Sequence, residues 1–299
     1  AVDIYHFPYF DPFFLTLPIF RSKKTVVTIH DLIPLNFPQH FPRGIKGEIK
    51  WRIQRIAVST VNAIITDSMA SKHDIETHLA YNKNKIHTVY LAAAKEFQTP
   101  RDKVDMDRVR DKYHLPKEFF LFVGESNWNK NIPNIIRAIK SAEASLVIVN
   151  KSFTLRLGDN YNSWQDALIE AQHEAEGYER IFRLGGVELN DLVTLYKMAS
   201  ALIMPSYYEG FGIPVVEAFS AGCPVITTNR GSLGEICRDA SIMVNPDNVS
   251  EIVNAMNRLQ KDINLRKKLI TKGKHLARNF TWEKTSKETA RIYNQVLGS

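Results

Sequence analysis

The sequence has few cysteines and no long apolar run, and both absences exclude whole classes of protein. Its 299 residues include only two cysteines, Cys223 and Cys237. Neither a disulfide framework nor a zinc cage is therefore indicated, and we expect buried thiols in a reducing compartment. A spanning helix needs about 20 consecutive apolar residues. The most apolar stretch, residues 5–20, is broken by three prolines and an aspartate, which argues against such a helix.

The remaining composition is that of a globular protein with a basic excess. Hydrophobic residues make up 44% and charged residues 24% of the chain, and its length predicts one large or two ordinary domains. The net charge is +7, and the cations are densest between Arg43 and Arg55. No RNA-binding signature or zinc finger accompanies them, so we do not expect nucleic acid as a partner.

The basic segment is drawn as an amphipathic helix. Its apolar positions are Ile45, Ile49, Ile53 and Ile56. Its cationic positions are Lys46, Lys50, Arg52 and Arg55. Two interpretations stay open. The cations are the solvated face of an ordinary surface helix, or they contact an anionic acceptor or an anionic membrane surface.

Apolar runs that alternate with helical stretches predict an α/β protein. In the first part of the chain, strands are expected near residues 2–7, 25–30, 63–66 and 86–91, with helices near 44–60 and 69–79. In the second part, strands are expected near residues 119–123, 146–149, 181–184, 201–204, 225–227 and 242–244, with helices near 132–141, 164–176, 189–199, 214–221, 232–237 and 249–260. Continuous apolar strands between helices require a parallel sheet covered on both faces. The second part is therefore predicted to be a doubly wound α/β domain.

The domain boundaries follow from a charged segment between the two patterns. Residues 97–116 suit a linker with a short helix. We therefore expect an N-terminal Rossmann-like domain over residues 1–96 and a second one over residues 117–278. A C-terminal helix over residues 279–299 is expected to pack back on the first domain.

Ligands of such sheets bind beyond the carboxyl ends of the strands, and one of these loops carries two glutamates around a glycine bend. The segment EGFGIPVVE runs from Glu209 to Glu217. Glycines let the backbone approach a ligand closely, Pro214 suits a first helical turn, and the helix start offers unpaired N–H groups. We expect Glu217 in the first turn of this helix. Each of the two glutamates can accept two hydrogen bonds from a vicinal diol. The structural alternative is a plain turn, with Glu217 complementing the helix dipole.

This segment resembles the hallmark of the retaining nucleotide-sugar glycosyltransferases of family 4. These enzymes have the GT-B fold, in which two Rossmann-like domains face a cleft. Other stretches resemble the family in the same order: Val27–Pro34 its first-domain His-Asp strand end, Phe122–Gly124 followed by Lys130 its phosphate loop, and Leu184–Val187 its base-contacting loop. The resemblance implies that the first domain is incomplete, because strand–helix units and a glycine-rich loop precede the equivalent of Val2 in the family.

The resemblance also implies roles for individual residues. Glu217 would bind the ribose diol of the donor, Glu209 a hydroxyl of the transferred sugar, and Lys130 the diphosphate. His30 would hydrogen-bond near the sugar or the acceptor, although a structural histidine at a strand end is the open alternative. The remaining donor-binding positions are Gly210, Phe211, Gly212, Ile213, Gly124, Gly186 and Val187. The family's arginine near the phosphate-loop lysine is missing, since Glu125 and Asn129 occupy the corresponding positions.

The resemblance therefore implies a metal-independent retaining glycosyltransferase that moves a mannose- or glucose-type hexose from a UDP- or GDP-sugar. The acceptor is expected to be a hydroxyl of a glycan or a lipid-linked molecule, and the location cytoplasmic with possible peripheral membrane contact. The open alternative is a non-catalytic nucleotide-sugar-binding protein or a truncated GT-B remnant. Residues 105–107 spell the Asp-x-Asp of metal-dependent glycosyltransferases, but they lie in the linker, so we expect neither a metal nor a cofactor.

Overall fold

The computed structural model describes residues 2–154 and 163–298. In chain order, its strands are β1 Ile4–Phe7, β2 Lys24–Thr28, β3 Ala63–Thr66, β4 Ile86–Thr88, β5 Phe120–Val123, β6 Leu146–Val149, β7 Ile181–Leu184, β8 Leu202–Met204, β9 Val225–Thr227 and β10 Ile242–Met243. Its α-helices are α1 Ile33–Asn36, α2 Gly44–Ser59, α3 Met69–Leu79, α4 Lys103–Lys112, α5 Ile132–Ser141, α6 Asp166–Glu174, α7 Leu189–Met198, α8 Ile213–Ala221, α9 Leu233–Cys237, α10 Val249–Lys261, α11 Ile263–Ala277 and α12 Trp282–Gly298. Short 3-10 helices cover Lys83–Lys85, Lys95–Gln98, Trp128–Lys130, Ser152–Thr154 and Ser163–Gln165.

The chain forms two compact units. The first comprises residues 1–91, 209–211 and 280–299, and the second comprises residues 92–208 and 212–279. The helix of the segment expected as a linker, α4, thus groups with the second unit, and α12 groups with the first. A three-residue piece of the glutamate-glycine segment also groups with the first unit, far in sequence from the rest of it.

The second unit has a six-stranded parallel sheet in the order β10-β9-β8-β5-β6-β7. This order is that of a doubly wound nucleotide-binding fold, in which the chain builds outward first on one side of β5 and then on the other. Its inner strands, such as the fully buried β6, are buried apolar runs because helices cover both faces, whereas the edge strands β7 and β10 are only partly buried. Leu146 and Ile148 of β6 pack in one core with Ile135 and Ile139 of α5 and Met256 of α10.

The first unit has a four-stranded parallel sheet in the order β1-β2-β3-β4. Ile292 and Val296 of α12 pack in the core of this sheet with Val26 and Ile65. The end of the same helix is capped by Lys24, whose Nζ donates to the carbonyl of Val296 at 3.0 Å. A cation at this position also complements the negative end of the helix dipole.

The predicted order of strands and helices is confirmed, except that two helices were not expected, the short α1 and the long α11. Helix α11 was not expected, since residues 263–277 carry basic residues between their apolar positions and lack a clear apolar stripe. Cys223 and Cys237 are buried and unpaired, as expected. Within the described residues, no helix is both long enough and apolar enough to cross a bilayer.

The predicted apolar face of α2 was assigned to the wrong side. Ile45 is 82% exposed, and Ile49 and Ile56 are also exposed. The residues that α2 buries include Trp51 and Gln54 instead. Gln54 is buried because its side chain bonds the backbone of the preceding loop, so a polar residue occupies the core-facing side while isoleucines face outward.

A buried carboxylate fixes α4 to α7. Asp191 is 1% exposed, and it accepts hydrogen bonds from Arg108 Nη2 at 2.8 Å, Lys112 Nζ at 2.6 Å and Tyr113 Oη at 2.8 Å. Burial alone would raise the pKa of Asp191, but these donors lower it, to about 2. The carboxylate therefore stays charged in the folded protein at any ordinary pH.

This network predicts that Asp191→Asn lowers the free energy of unfolding by about 2 kcal/mol at neutral pH, the usual scale for charge-assisted hydrogen bonds. Because folding lowers the pKa from 3.8 to about 2, the stabilisation is complete above the unfolded value and is lost as the pH falls through the folded one. Urea unfolding at neutral pH and at pH near 2 measures both effects. Asp105→Asn, an exposed carboxylate on α4, is the control and should change stability little. A similar loss in both variants would contradict the prediction.

Candidate functional site

The sheet of the second unit has its topological switch point between β5 and β8. These neighbouring strands are parallel, and the connections that follow them run to opposite sides of the sheet. A crevice at the carboxyl ends of such a pair is the usual ligand site of doubly wound folds. The loops after Val123 and Met204 are therefore the first place to look for a ligand.

The loop after β5 places Lys130 directly before the N-terminus of α5. Gly124 has φ +146°, and Lys130 Cε lies 3.9 Å from where a Cβ on this glycine would stand. Asn150 Nδ2 fixes the same turn by donating to the Gly124 carbonyl at 2.5 Å. Helix N-termini present unpaired N–H groups, and together with an adjacent ammonium group they suit an anion.

Backbone and aromatic contacts join this loop to the loop after β8. Tyr207 N donates to the Asn129 carbonyl at 2.8 Å, and Asn129 Nδ2 donates to the Tyr208 carbonyl at 3.0 Å. The rings of Trp128 and Tyr207 stack at 4.7 Å with an interplanar angle of 11°. Asn131 adds a hydrogen bond to the carbonyl of Pro205 at 3.1 Å. The two sides of the switch point therefore form one fixed surface.

Helix α8 begins where the glycine bend ends. Gly212 is its N-cap with φ +95°, a left-handed conformation that favours glycine. A Cβ at this position would also come within 3.0 Å of Leu233 Cδ2. The first helical residue is Ile213. Pro214 has no N–H, and the N–H of Val215 donates to the Gly212 carbonyl at 3.0 Å. The N–H of Ile213 is therefore the candidate donor of this turn to a ligand's oxygen atom.

Glu217 lies in the second turn of α8, not in the first turn as predicted. It is the fifth residue of a helix that begins at Ile213, which places it past the reach of the helix-start dipole. Its Oε2 accepts a hydrogen bond from the hydroxyl of the buried Tyr196 at 2.8 Å. Burial raises the pKa of Glu217, and the hydrogen bond from Tyr196 lowers it. Because Tyr196 is neutral, the charge of this carboxylate is not cancelled by its partner.

The residues predicted for the base-contacting loop do not follow β5 or β8 but lie after a strand at the edge of the sheet. Gly186 and Val187 follow β7, which is two strand positions from β5 and thus roughly 10 Å away across the sheet. Lys151, which follows β6, approaches this loop: its Cε lies 2.7 Å from where a Cβ on Gly186 would stand. A ligand that contacts both Gly186 and Lys130 must therefore be extended.

In the first unit, His30 is held between two acceptors. Its Nδ1 lies 2.6 Å from Asp67 Oδ2, and its Nε2 lies 3.1 Å from the carbonyl oxygen of Pro8. The Asp67 side chain is 4% exposed, whereas that of His30 is 42% exposed. The hydrogen bond to Asp67 raises the pKa of His30, and burial raises the pKa of Asp67.

The first unit also contains the start of the glutamate-glycine segment, Glu209–Phe211. Gly210 approaches the residues after β2 so closely that a Cβ there would lie 2.7 Å from Asp31 Cβ and 3.1 Å from the His30 carbonyl oxygen. Ser71 Oγ donates to the Gly210 carbonyl at 3.1 Å. Phe211 packs in an aromatic cluster with Tyr90 and Phe280, and Glu209 is only 4% exposed.

The structure therefore sorts the predicted site residues into two groups. The first unit holds His30, Glu209, Gly210 and Phe211, and the second holds Lys130, Glu217, Gly212, Ile213, Gly124, Gly186 and Val187. The sequence analysis missed Asp67, Lys151 and the hydrogen-bonding role of Tyr196. The position of Asp67 directly after an apolar strand was a usable signal, whereas the pairing of Tyr196 with Glu217 required knowledge of how α7 packs on α8.

Within the described part of the chain, no group of three or more His, Cys, Asp or Glu side chains could hold a metal ion. Asp105 and Asp107 of the Asp-x-Asp sequence lie on α4. Arg110 Nη1 donates to Asp107 Oδ1 at 3.2 Å. The absence of a metal requirement stays a prediction.

Known proteins match both parts of the chain. A family model described as "Glycosyl transferases group 1" matches residues 105–276, and one described as "Glycosyltransferase Family 4" matches residues 1–93. An O-antigen chain mannosyltransferase B from Escherichia coli is 29% identical over 97% of this chain and 74% of its own length. The O-antigen chain mannosyltransferase RfbU from Salmonella typhimurium is 26% identical over 82% of this chain and 63% of its own length.

Solved structures agree on the fold. A sucrose-phosphate synthase from Thermosynechococcus elongatus superposes with a TM-score of 0.76 at 20% identity, covering 93% of this chain and 69% of that one. HepE from Anabaena, in complex with UDP-glucose, superposes with a TM-score of 0.76 at 17% identity, covering 91% of this chain and 72% of that one. The predicted GT-B fold, with its two parallel-sheet α/β domains, is confirmed. With one family model covering more than half of its residues, the chain belongs to the glycosyl transferases group 1 family.

Proposed function

We propose that the chain is a retaining hexosyltransferase that moves a mannosyl residue from a nucleotide diphosphate sugar to a hydroxyl of a glycan or lipid-linked acceptor. The observation that carries this proposal is the position of Lys130 at the switch point, directly before the N-terminus of α5. An ammonium group and free helix-terminal N–H groups together suit a diphosphate.

The chemistry of glycosyl transfer explains why such a site is needed. Breaking the bond between sugar and phosphate develops positive charge on the sugar and negative charge on the leaving diphosphate. Lys130 and the N–H groups at the start of α5 would stabilise that negative charge without a metal ion. Lys151, which follows the neighbouring strand β6, would supply a second cation at the same edge of the sheet.

The two glutamates would hold the two ends of the donor. Glu217 presents a carboxylate whose partner, Tyr196, is neutral, so its charge is available to the ribose diol. Glu209 would accept from a hydroxyl of the transferred sugar, and the N–H groups from Gly210 to Ile213 would bind other hydroxyls. The incoming hydroxyl would attack the face that the phosphate leaves, with the leaving phosphate taking its proton. Catalysis would then rest on positioning rather than on a side-chain base.

The relatives favour mannose as the transferred sugar. The two curated relatives described above are both named as mannosyltransferases, and three further matches are named as serotype-specific mannosyltransferases. HepE is named with UDP and glucose, so glucose is the second sugar to test. We propose mannosyl transfer first, with the base of the donor decided by comparing GDP-mannose with UDP-mannose and UDP-glucose.

We expect Glu217→Gln to raise the donor KM and Glu209→Gln mainly to lower kcat, because ribose binding is uniform whereas the sugar contact strengthens as charge develops. The loss of kcat in Glu209→Gln should be on the order of 100-fold, the scale of one removed polar contact in the transition state. The rise in donor KM in Glu217→Gln should be about 10- to 100-fold, the scale of a lost hydrogen bond to a charged group. Burial raises the pKa of Glu217. As the pH falls, the donor affinity of the natural chain should therefore weaken at a higher pH than it would if this carboxylate had the pKa of an exposed glutamate. Steady-state transfer with each donor measures these constants.

Glu235→Gln on α9 is the control, since Glu235 is a partly exposed acid of the same unit to which no role is assigned. Donor binding without transfer by the natural chain would favour the alternative of a non-catalytic nucleotide-sugar-binding protein. Unchanged transfer in both glutamate variants would overturn the proposed site.

We also propose that this protein contacts an anionic membrane surface through an apolar and basic surface on its first unit, here called the α2 surface. It is formed by exposed apolar side chains and by cations of α2, namely Phe14, Leu15, Phe20, Ile45, Ile49, Ile56, Lys46, Lys50, Arg52 and Arg55. Phe20 is 93% exposed. A cluster of exposed large apolar residues among cations is typical of surfaces that enter the headgroup region of anionic bilayers.

The α2 surface is held in shape by contacts between α2 and the loop before β2. The buried Gln54 bonds both the N–H and the carbonyl of Leu17, at 3.0 and 2.9 Å. Lys50 Nζ lies 5.0 Å from the centre of the Phe14 ring. Arg21 Nη2 donates to the carbonyl of Ala57 at 2.9 Å. These contacts hold the loop that carries Phe14 and Phe20 against α2, the helix that carries the exposed isoleucines.

We expect binding to phosphatidylcholine vesicles that contain phosphatidylglycerol, weaker binding to phosphatidylcholine alone, and weakening by salt. Ile45→Gln with Ile49→Gln should weaken binding by about tenfold or more, since burying one such side chain gives about 1.5–3 kcal/mol. Val104→Gln with Ile263→Gln, two exposed apolar residues of the second unit, is the matched control and should bind as the natural chain does. Equal binding of both double variants, measured by vesicle flotation, would overturn the proposal.

A further inference from the structure

Three neighbouring strands of the first unit bring Pro8, His30 and Asp67 together. Strands β1, β2 and β3 are parallel and adjacent, with Thr28 paired to Ile65. Each of the three residues follows the carboxyl end of one of these strands. Their contact therefore follows from the strand pairing, although they are far apart in sequence.

The acceptors on both sides determine where the protons of His30 lie. The Pro8 carbonyl can only accept, so the 3.1 Å contact requires a proton on Nε2. Asp67 Oδ2, 2.6 Å from Nδ1, shares the second proton with that nitrogen. His30 is thus a hydrogen-bond donor through Nε2 and has no free lone pair with which to take up a proton.

We propose that Asp67 is a positioning residue for sugar transfer, which holds His30 as a hydrogen-bond donor whose Nε2–H passes from the Pro8 carbonyl to an oxygen atom of the substrate. This inference rests on the proposed function. It assigns His30 a role opposite to that of a general base: the imidazole gives a hydrogen bond to an oxygen and removes no proton from it. The leaving phosphate remains the group that takes the acceptor's proton.

The burial of Asp67 explains why its charge acts on His30. Asp67 Oδ1 is buried and has no hydrogen-bond partner within the described residues. An ionised carboxylate in such a place is costly unless a cation compensates it, and the imidazolium of His30 is the group within contact. The other titratable groups near His30 are Asp31, whose charge also raises its pKa, and Tyr9 and His6.

The surroundings of His30 place this donor beside the glutamate-glycine segment. The His30 carbonyl oxygen lies 3.1 Å from where a Cβ on Gly210 would stand, and Glu209 precedes that glycine. The imidazole is 42% exposed on its side chain, so a substrate oxygen can reach Nε2 where Pro8 now accepts. A glutamate acceptor and a histidine donor in one unit suit the two sides of a sugar hydroxyl.

The test is the pH dependence of transfer together with the titration of His30. Because Asp67 raises the pKa of His30, its loss in Asp67→Asn should lower that pKa. If the protonated imidazole is the active form, kcat falls as the pH rises through this pKa, so the alkaline limb of the profile should move to lower pH in Asp67→Asn. NMR of the imidazole C–H, assigned by its loss in His30→Gln, measures the pKa without substrate.

Substitutions of His30 separate a donor from a base. His30→Ala should lower kcat by on the order of 100-fold, as for a lost donor to developing charge. His30→Gln keeps an amide donor and should recover part of that loss, with no alkaline limb. Asp67→Asn should have no further effect in the His30→Ala background, because Asp67 acts through His30. Asp74→Asn, a buried aspartate of the same unit, is the control and should leave the titration of His30 unchanged.

Several results would overturn the inference: an unchanged His30 pKa in Asp67→Asn, an alkaline limb that stays in place, or His30→Gln no better than His30→Ala. Additive losses from His30→Ala and Asp67→Asn would also contradict it. If the natural chain transfers no sugar, the proposed function fails, while the NMR titration still decides whether Asp67 controls His30.

Discussion

Parallel strand pairing is the constraint on which the rest of this structure depends. Because neighbouring parallel strands all end at the same edge, the residues that follow them come together without being close in sequence. In the second unit this places Gly124 and Lys130 after β5 beside the loop after β8. In the first unit it places His30 beside Asp67. Both groups of polar residues lie where their strands end, and the buried apolar strands give each of them a rigid base.

Three buried or partly buried carboxylates show how the cost of burying a charge is met in different ways. Asp191 is surrounded by two cations and a hydroxyl, and its pKa falls to about 2. The charge of this carboxylate is fully compensated by its neighbours and stabilises the fold. Glu217 has the neutral Tyr196 as its partner, and Asp67 has His30, and burial raises the pKa of both. A carboxylate whose charge is not fully compensated by its neighbours can be stabilised further by a ligand or by a protonated imidazole beside it.

The sequence predicted most of the fold because the second sheet is buried on both faces, so its strands are continuous apolar runs such as Leu146–Val149. The glutamate-glycine segment was also visible, since glycine, proline and carboxylate have strong positional preferences. The buried side of α2 was not predictable from periodicity, because it contains the polar Gln54, which bonds a loop. The partner of His30 was missed for a related reason. A contact between residues that follow different strands appears in no local pattern, and it becomes visible only when the strand order is known.

The two units present different chemistry at the carboxyl edges of their sheets. The edge of the second unit carries Lys130 and Lys151 and the N-termini of α5 and α8, all of which attract negative charge. The edge of the first unit carries the carboxylates of Asp31 and Asp67 around His30, which suits neutral hydroxyls that both donate and accept. A phosphate against these carboxylates would be electrostatically unfavourable. The charge of each edge, taken by itself, therefore selects the kind of ligand group that this edge can hold.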